Sequence, residues 1–164
     1  MLLDDALRAV DVVRGYEGPI VDVGSGGGSP GIPLAASLPE REVVLLEAER
    51  RKCEFLERWA PPNARVVWGR AEEQDPDVFG VALAKALAQP ATALEWCLPL
   101  VRPGGAAILW VGPTADLAAL ARVSAQLGGG APEDRDGLTV VPKLTATPAG
   151  FPRRTGVARK RPLS

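Results

Sequence analysis

The sequence predicts an α/β fold: a mostly parallel sheet with helices on both faces, closed by an antiparallel C-terminal hairpin. Two observations carry this. Short apolar runs alternate with amphipathic stretches along the 164 residues. The run Pro19 to Val23 also opens directly into Gly24-Ser25-Gly26-Gly27-Gly28-Ser29-Pro30-Gly31. Strand, glycine turn and helix start in that order are how open α/β sheets bind nucleotide-like ligands beyond the carboxyl ends of their strands. The length suits one domain over residues 1–164, with neither an internal repeat nor a second domain.

Each element follows from local pattern. Leu3, Leu7, Val10 and Val13 recur at helical spacing, with acids early and arginines late, so Leu2 to Val13 reads as one amphipathic helix closed by Gly15. After the first strand, Ser29 stands where an N-cap belongs and Pro30 suits the first helical position, starting a helix that runs to Leu38 and stops at Pro39. Val43 to Glu47 is the second strand. Glu49 to Trp59 follows as a helix with Cys53 and Leu56 on its apolar face and Arg50, Arg51, Lys52 and Arg58 as basic residues. Arg65 to Trp68 and Val81 to Ala84 are strands three and four. Ala91 to Leu100 is a helix stopped by Pro103-Gly104-Gly105, Ala106 to Val111 is strand five, and Leu117 to Leu127 is a helix ending at Gly128-Gly129-Gly130. Leu138 to Leu144 and Gly156 to Lys160 are expected to form the closing hairpin, with residues 151–164 as a basic strand or tail.

The glycine loop is the first candidate site. Glycines at 24, 26 and 28 permit conformations that a Cβ forbids and let a ligand approach the main chain. A dinucleotide fingerprint wants glycine in its sixth place, where Ser29 stands, so Asp-x-Gly-x-Gly-x-Gly suits a nucleoside cofactor without a pyrophosphate at least as well. Asp22, Gly24, Ser25, Gly26, Gly28 and Ser29 are the binding candidates. Glu47, at the end of the second strand, is placed to take ribose hydroxyls. The bland alternative is a tight strand–helix corner. Lys85, at the carboxyl end of strand four, faces the ligand in this architecture, or else is a snorkelling surface lysine.

Composition excludes several classes. Lys and Arg number 19 against 20 Asp and Glu, a net charge of −1, so any nucleic-acid partner must be met by a local patch. There is no histidine, which removes imidazole as general base, metal ligand or triad member. Cys53 and Cys97 lack metal-site spacing and read as small core residues of a reducing compartment. No membrane-length apolar run or leader is expected, so the chain reads as cytoplasmic, without a membrane or metal partner.

Asp-Val-Gly-Ser-Gly-Gly-Gly-Ser-Pro-Gly-Ile-Pro-Leu-Ala from Asp22, Leu45-Leu46-Glu47, Gly69-Arg70-Ala71-Glu72-Glu73, Trp96-Cys97-Leu98-Pro99-Leu100, Pro103-Gly104-Gly105 and Phe151 to Leu163 occur in that order. From Pro19 onward the chain therefore resembles the RsmG (GidB) family. These are Rossmann-like class I methyltransferases that use S-adenosyl-L-methionine to modify N7 of a guanine in 16S ribosomal RNA. The resemblance implies cofactor contacts at Gly24, Ser29, Glu47, Ala71 and Glu72, and 16S RNA or the small ribosomal subunit as partner. It makes Lys85 and Arg70 the catalytic candidates. Arg153, Arg154, Arg159, Lys160 and Arg161 become the RNA-binding candidates, against the bland reading of a solubilising tail. Three features depart from the family. Lys85 replaces an arginine, Val111 stands where lysine is usual, and the helical N-terminal region is expected to be reduced to residues 1–15.

The implied chemistry needs no imidazole. Guanine N7 carries a free lone pair, so the work is to align nucleophile, methyl and sulfonium and to keep water out. The target base is expected to be unstacked, with Phe151 or Trp110 as a stacking face. Two alternatives stay open on the residues alone: a non-catalytic homologue that binds cofactor or RNA, and a small-molecule methyltransferase.

Overall fold

The computed structural model describes residues 2–85, 88–112 and 115–164. Seven strands form one sheet in the order β3-β2-β1-β4-β5-β7-β6. They are β1 Ile20–Val23, β2 Val43–Glu47, β3 Ala64–Trp68, β4 Phe79–Lys85, β5 Val101–Trp110, β6 Glu133–Arg135 and β7 Leu138–Pro142. The first five run parallel, with Ile20 opposite both Val43 and Val81, and β7 joins β5 antiparallel, with Ala107 opposite Val141. The strand order reverses at β1, which puts the crevice for a ligand above the carboxyl ends of β1, β2 and β4.

Both faces of the sheet are buried, and alternate residues supply them. Val21, Val23, Val44, Leu46, Ala82 and Leu109 point into one core with Leu94, Leu98, Leu120 and Val123. Ile20, Val43, Leu45, Val81, Leu83 and Ile108 point into the other with Ala9, Val13, Leu34, Leu38 and Leu56. Strands apolar on both sides are what a helix-covered parallel sheet requires. The helices are α1 Leu2–Leu7, α2 Val10–Arg14, α3 Gly31–Ser37 and α4 Arg50–Trp59, then α5 Pro90–Cys97, α6 Leu117–Gln126 and α7 Val157–Lys160. α2 to α4 thus pack on the second core, α5 and α6 on the first.

Three expectations are corrected. The N-terminal helix is two pieces: the chain breaks at Arg8, whose guanidinium donates to the Asp136 carbonyl at 2.9 Å, while Ala9 is fully buried. A tertiary contact overrides a continuous amphipathic pattern. The closing hairpin is real, but its arms are β6 and β7, with Arg135 opposite Leu138. Asp136 and Gly137 both have positive φ, 54° and 84°, as the two-residue turn with the twist of a hairpin demands. Gly156–Lys160 is therefore no strand. Gly156 turns the chain with φ 89°, and α7 packs Ala158 into the protein.

One buried cation ties the lower edge together. The fully buried Lys143 Nζ lies 2.9 Å from the Leu98 carbonyl, 2.6 Å from that of Val101 and 3.0 Å from Asp77 Oδ1. Removing one partner of such a group strands the others. Lys143→Met is expected to lower unfolding free energy by about 3 kcal/mol in urea titrations; a change within experimental error would show that the cluster is dispensable.

Candidate active site

The loop after β1 is held from below by a buried carboxylate. Asp22 Oδ2 accepts the Ser25 hydroxyl at 2.9 Å and the Gly31 N–H at 3.0 Å. Gly31 is the first residue of α3. Its cap position is Pro30, which offers no side-chain acceptor, so Asp22 caps the helix from the neighbouring strand. Ser29 was expected to be that cap and is not: its hydroxyl is buried and unpartnered among the described residues. Gly24 and Ser25 both donate to the Leu46 carbonyl, at 2.8 and 3.0 Å, which lashes the loop to β2. Gly24 has φ 70°; Gly28 has φ 97°, and a Cβ there would lie 2.5 Å from Ile32 Cδ1.

Glu47 braces the same loop from the side. Its two carboxylate oxygens accept Gly26 N–H and Glu49 N–H, each at 2.8 Å. A carboxylate has about four lone-pair sites, so a carboxylate fixed in this way keeps acceptor capacity toward the cleft. Above the loop lies a cleft of 650 Å³. Gly24, Ser25, Gly26, Ser29, Glu47, Arg70, Ala71, Glu72 and Lys85 all line it. Asp22 and Gly28 are not in its wall. They act beneath it, one by hydrogen bonding and one by making room.

The C-terminal segment closes this cleft, which the residue pattern alone did not disclose. Gly156 N–H donates to Glu72 at 2.8 Å, and Gly156 and Arg159 stand in the wall. The Arg159 guanidinium sits 5.3 Å from the centre of the Trp96 ring, and Trp96 is itself a lining residue. Arg153 forms a paired contact with the buried Glu95 carboxylate and donates to the Arg161 carbonyl. Two of the five expected RNA-binding side chains are thus engaged within the protein. Arg154, Lys160 and Arg161 are exposed and line, with Thr155 and Gly156, a second cleft of 610 Å³ that adjoins the first.

The described residues contain three buried side-chain polar atoms without a hydrogen-bond partner: Ser29 Oγ, Lys85 Nζ and Trp96 Nε1. All three belong to residues lining this one cleft. Unpartnered buried polar groups are rare, and their convergence marks a place that a polar ligand completes. A nucleoside carrying an amino acid fits the donor set: a glycine loop for close approach, a strand-end carboxylate for hydroxyls, and free donors for a carboxylate. Among the described residues no group of acidic, Cys or His side chains could hold a metal, and no helix is long and apolar enough to cross a membrane.

Sheet order, glycine loop and strand-end carboxylate define a class I methyltransferase fold. The TehB-like SAM-dependent methyltransferase of Corynebacterium glutamicum superposes with a TM-score of 0.63 at 18% identity, covering 84% of this chain and 86% of that one. The T. thermophilus 16S rRNA N2 G1207 methyltransferase, solved with AdoMet and guanosine, gives 0.65 at 18% identity over 90% of this chain and 40% of that one. The rRNA small subunit methyltransferase G family matches residues 1–122, and the enzyme of that name from Pelotomaculum thermopropionicum is 36% identical over 96% of this chain and 74% of its own length. The chain belongs to that family, and is an S-adenosyl-L-methionine-dependent methyltransferase.

Burial holds the Asp22 carboxyl up to about 7, with the charge of Glu47 adding to the rise and the Ser25 and Gly31 hydrogen bonds opposing it. The unfolded chain titrates this group near 3.8, so the folded state holds the extra proton between those values. Its contribution to stability is therefore full below pH ~4 and is lost as pH rises to ~7, at about 1.4 kcal/mol per pH unit. Asp22→Asn cannot ionise and keeps an acceptor for Gly31. The variant is expected to gain on the wild type steadily from pH 4 to 7 in denaturant titrations; parallel curves would show that Asp22 ionises normally.

Proposed function

We propose that this chain transfers a methyl group from S-adenosyl-L-methionine to N7 of a guanine in 16S ribosomal RNA, and that residues 1–164 act as one methyltransferase domain in the cytoplasm. The supporting observation is that the three residues carrying unpartnered buried polar atoms, Ser29, Lys85 and Trp96, all line one cleft, in a chain of this family. When bound, the cofactor supplies an electrophilic methyl group on a sulfonium. The rest falls to the protein. Gly24, Ser25 and Gly26 offer main-chain contact, with Gly28 and Asp22 holding the loop shape. Glu47 orients hydroxyls, Ala71 and Glu72 form the far wall, and Ser29 with Trp96 donates to the polar end.

Because N7 has its lone pair free, the residues near it position and exclude water rather than remove a proton. Lys85 and Arg70 hold the acceptor by charge. Lys85 is a point charge where the family has a planar fork, so it fixes position without bidentate geometry. Arg154, Lys160 and Arg161 meet the phosphodiester backbone from the adjoining cleft, and Arg153 and Arg159 hold the segment that carries them.

Calorimetry with S-adenosyl-L-methionine, followed by transfer of labelled methyl to unmodified small-subunit RNA and particles, tests this reading. Binding with transfer supports it. Binding without transfer would make the protein a non-catalytic homologue, or an enzyme of a small acceptor. Glu47→Ala is expected to weaken cofactor binding at least tenfold. Reversing Arg154, Lys160 and Arg161 to Glu together should weaken RNA binding at least tenfold and flatten its salt dependence, leaving cofactor affinity unchanged.

A further inference from the structure

A third cleft, of 530 Å³, opens above the carboxyl end of β5. Lys85 lines both it and the cofactor cleft, so the two share one wall. On the far side of Lys85 stand Asp5 from α1, Trp110 from the end of β5, and Asp134 and Thr139 from the hairpin. Trp110 packs against the core and donates its indole N–H to the Asp5 carbonyl at 3.1 Å, so the ring that lines the cleft is held at its edge. Lys85 Nζ lies 3.7 Å from Asp5 Oδ2, and it has no hydrogen-bond partner among the described residues. The other oxygen of Asp5 faces Arg8 at 3.4 Å.

We propose that this third cleft takes the extruded target base, and that the Lys85–Asp5 pair reads it as guanine. The inference rests on the guanine acceptor proposed above. On guanine's pairing edge an acceptor, O6, neighbours two donors, N1–H and the 2-amino group. A cation beside a carboxylate is the complement of that order. Adenine presents the reverse: its 6-amino donor would meet Lys85, and its N1 lone pair would meet Asp5. Both contacts would be repulsive and desolvated, which is how sites reject near neighbours most strongly. Trp110 supplies the stacking face that an unstacked base requires. N7 lies on the side of O6 away from N1. Anchoring O6 at Lys85 and N1 at Asp5 therefore turns N7 past Lys85 toward the cofactor cleft. The same pair selects the base and aims its reacting atom.

The test compares wild type, Asp5→Asn and, as a control on an exposed neighbour of the same helix, Asp4→Asn. Each is assayed for cofactor binding by calorimetry, and for methyl transfer to a synthetic RNA carrying guanine or inosine at the mapped target. Inosine keeps O6, N7 and N1–H but lacks the 2-amino donor. Wild type should lose at least tenfold in kcat/KM on inosine RNA. Asp5→Asn should lose at least thirtyfold on guanine RNA, with cofactor affinity unchanged, and should no longer distinguish inosine from guanine. Asp4→Asn should behave as wild type. Wild-type transfer to guanine that is unaffected by Asp5→Asn, or an inosine penalty that persists in that variant, would overturn the proposal. Absence of transfer by wild type to any RNA would instead overturn the acceptor assignment on which it rests.

Discussion

The Asp22 carboxylate sits fully out of water at the end of the central strand, and the architecture above it depends on what it holds. Helix α3 has no cap of its own, because Pro30 at its N-terminus carries no acceptor. The loop before it consists of residues with little packing of their own. Asp22 supplies both needs at once, taking the Gly31 N–H and the Ser25 hydroxyl on one oxygen. Burying a carboxylate disfavours its charged form. Two hydrogen bonds from fixed donors offset part of that, and the group's raised pKa is the remainder. Because capping is done from the strand, Ser29 is not consumed by it. Its hydroxyl is left buried and unpartnered in the wall of the cleft.

A second carboxylate, Glu47, performs the same service one strand over. Its hydrogen bonds to Gly26 and Glu49 tie the first strand's loop to the start of α4. The two acids are thus the paired supports of a glycine-rich loop with few side chains of its own. The third wall comes from far along the chain. Glu95, buried on α5, anchors Arg153, while Glu72 anchors Gly156 and Trp96 carries Arg159. Three contacts from one short segment make the C-terminal residues part of the cleft wall. They explain why an arginine-rich tail in a balanced chain need not be a free basic arm.

The parallel sheet, its strands and its glycine loop were legible because both faces are apolar and glycine has a steric signature that survives any context. Glu47 was legible from its distance along the chain. What the pattern hid was tertiary. Gly156 to Lys160 alternates like a strand, yet its neighbours are α5 and the loop after β3, and no strand is beside it to pair. The real hairpin turn, Asp136-Gly137, has the strongest local signal for such a turn, but its first arm is short and fully charged and so carries no apolar alternation. Asp5 had no signal of its own, and Trp96 had only its place in a family motif. An acid on an amphipathic helix and a tryptophan in an apolar one look ordinary until the fold sets them beside Lys85 and Arg159.

Lys85 also bears on how the proposed acceptor site makes use of a lone cation. An arginine presents donors alone, in a planar fork suited to two acceptors on one face of a base or phosphate. A lysine gives up the second arm. Here the position beside it is filled by Asp5, a pure acceptor brought in by α1. The local pattern here is a donor beside an acceptor. On guanine a pair of donors fits O6 and N7, the edge that must be left open for a methyl group to reach N7. A donor beside an acceptor fits O6 and N1, and leaves N7 free. On the proposed reading Lys85 leaves N7 open to the methyl group, provided that α1 is in place to complete the pair.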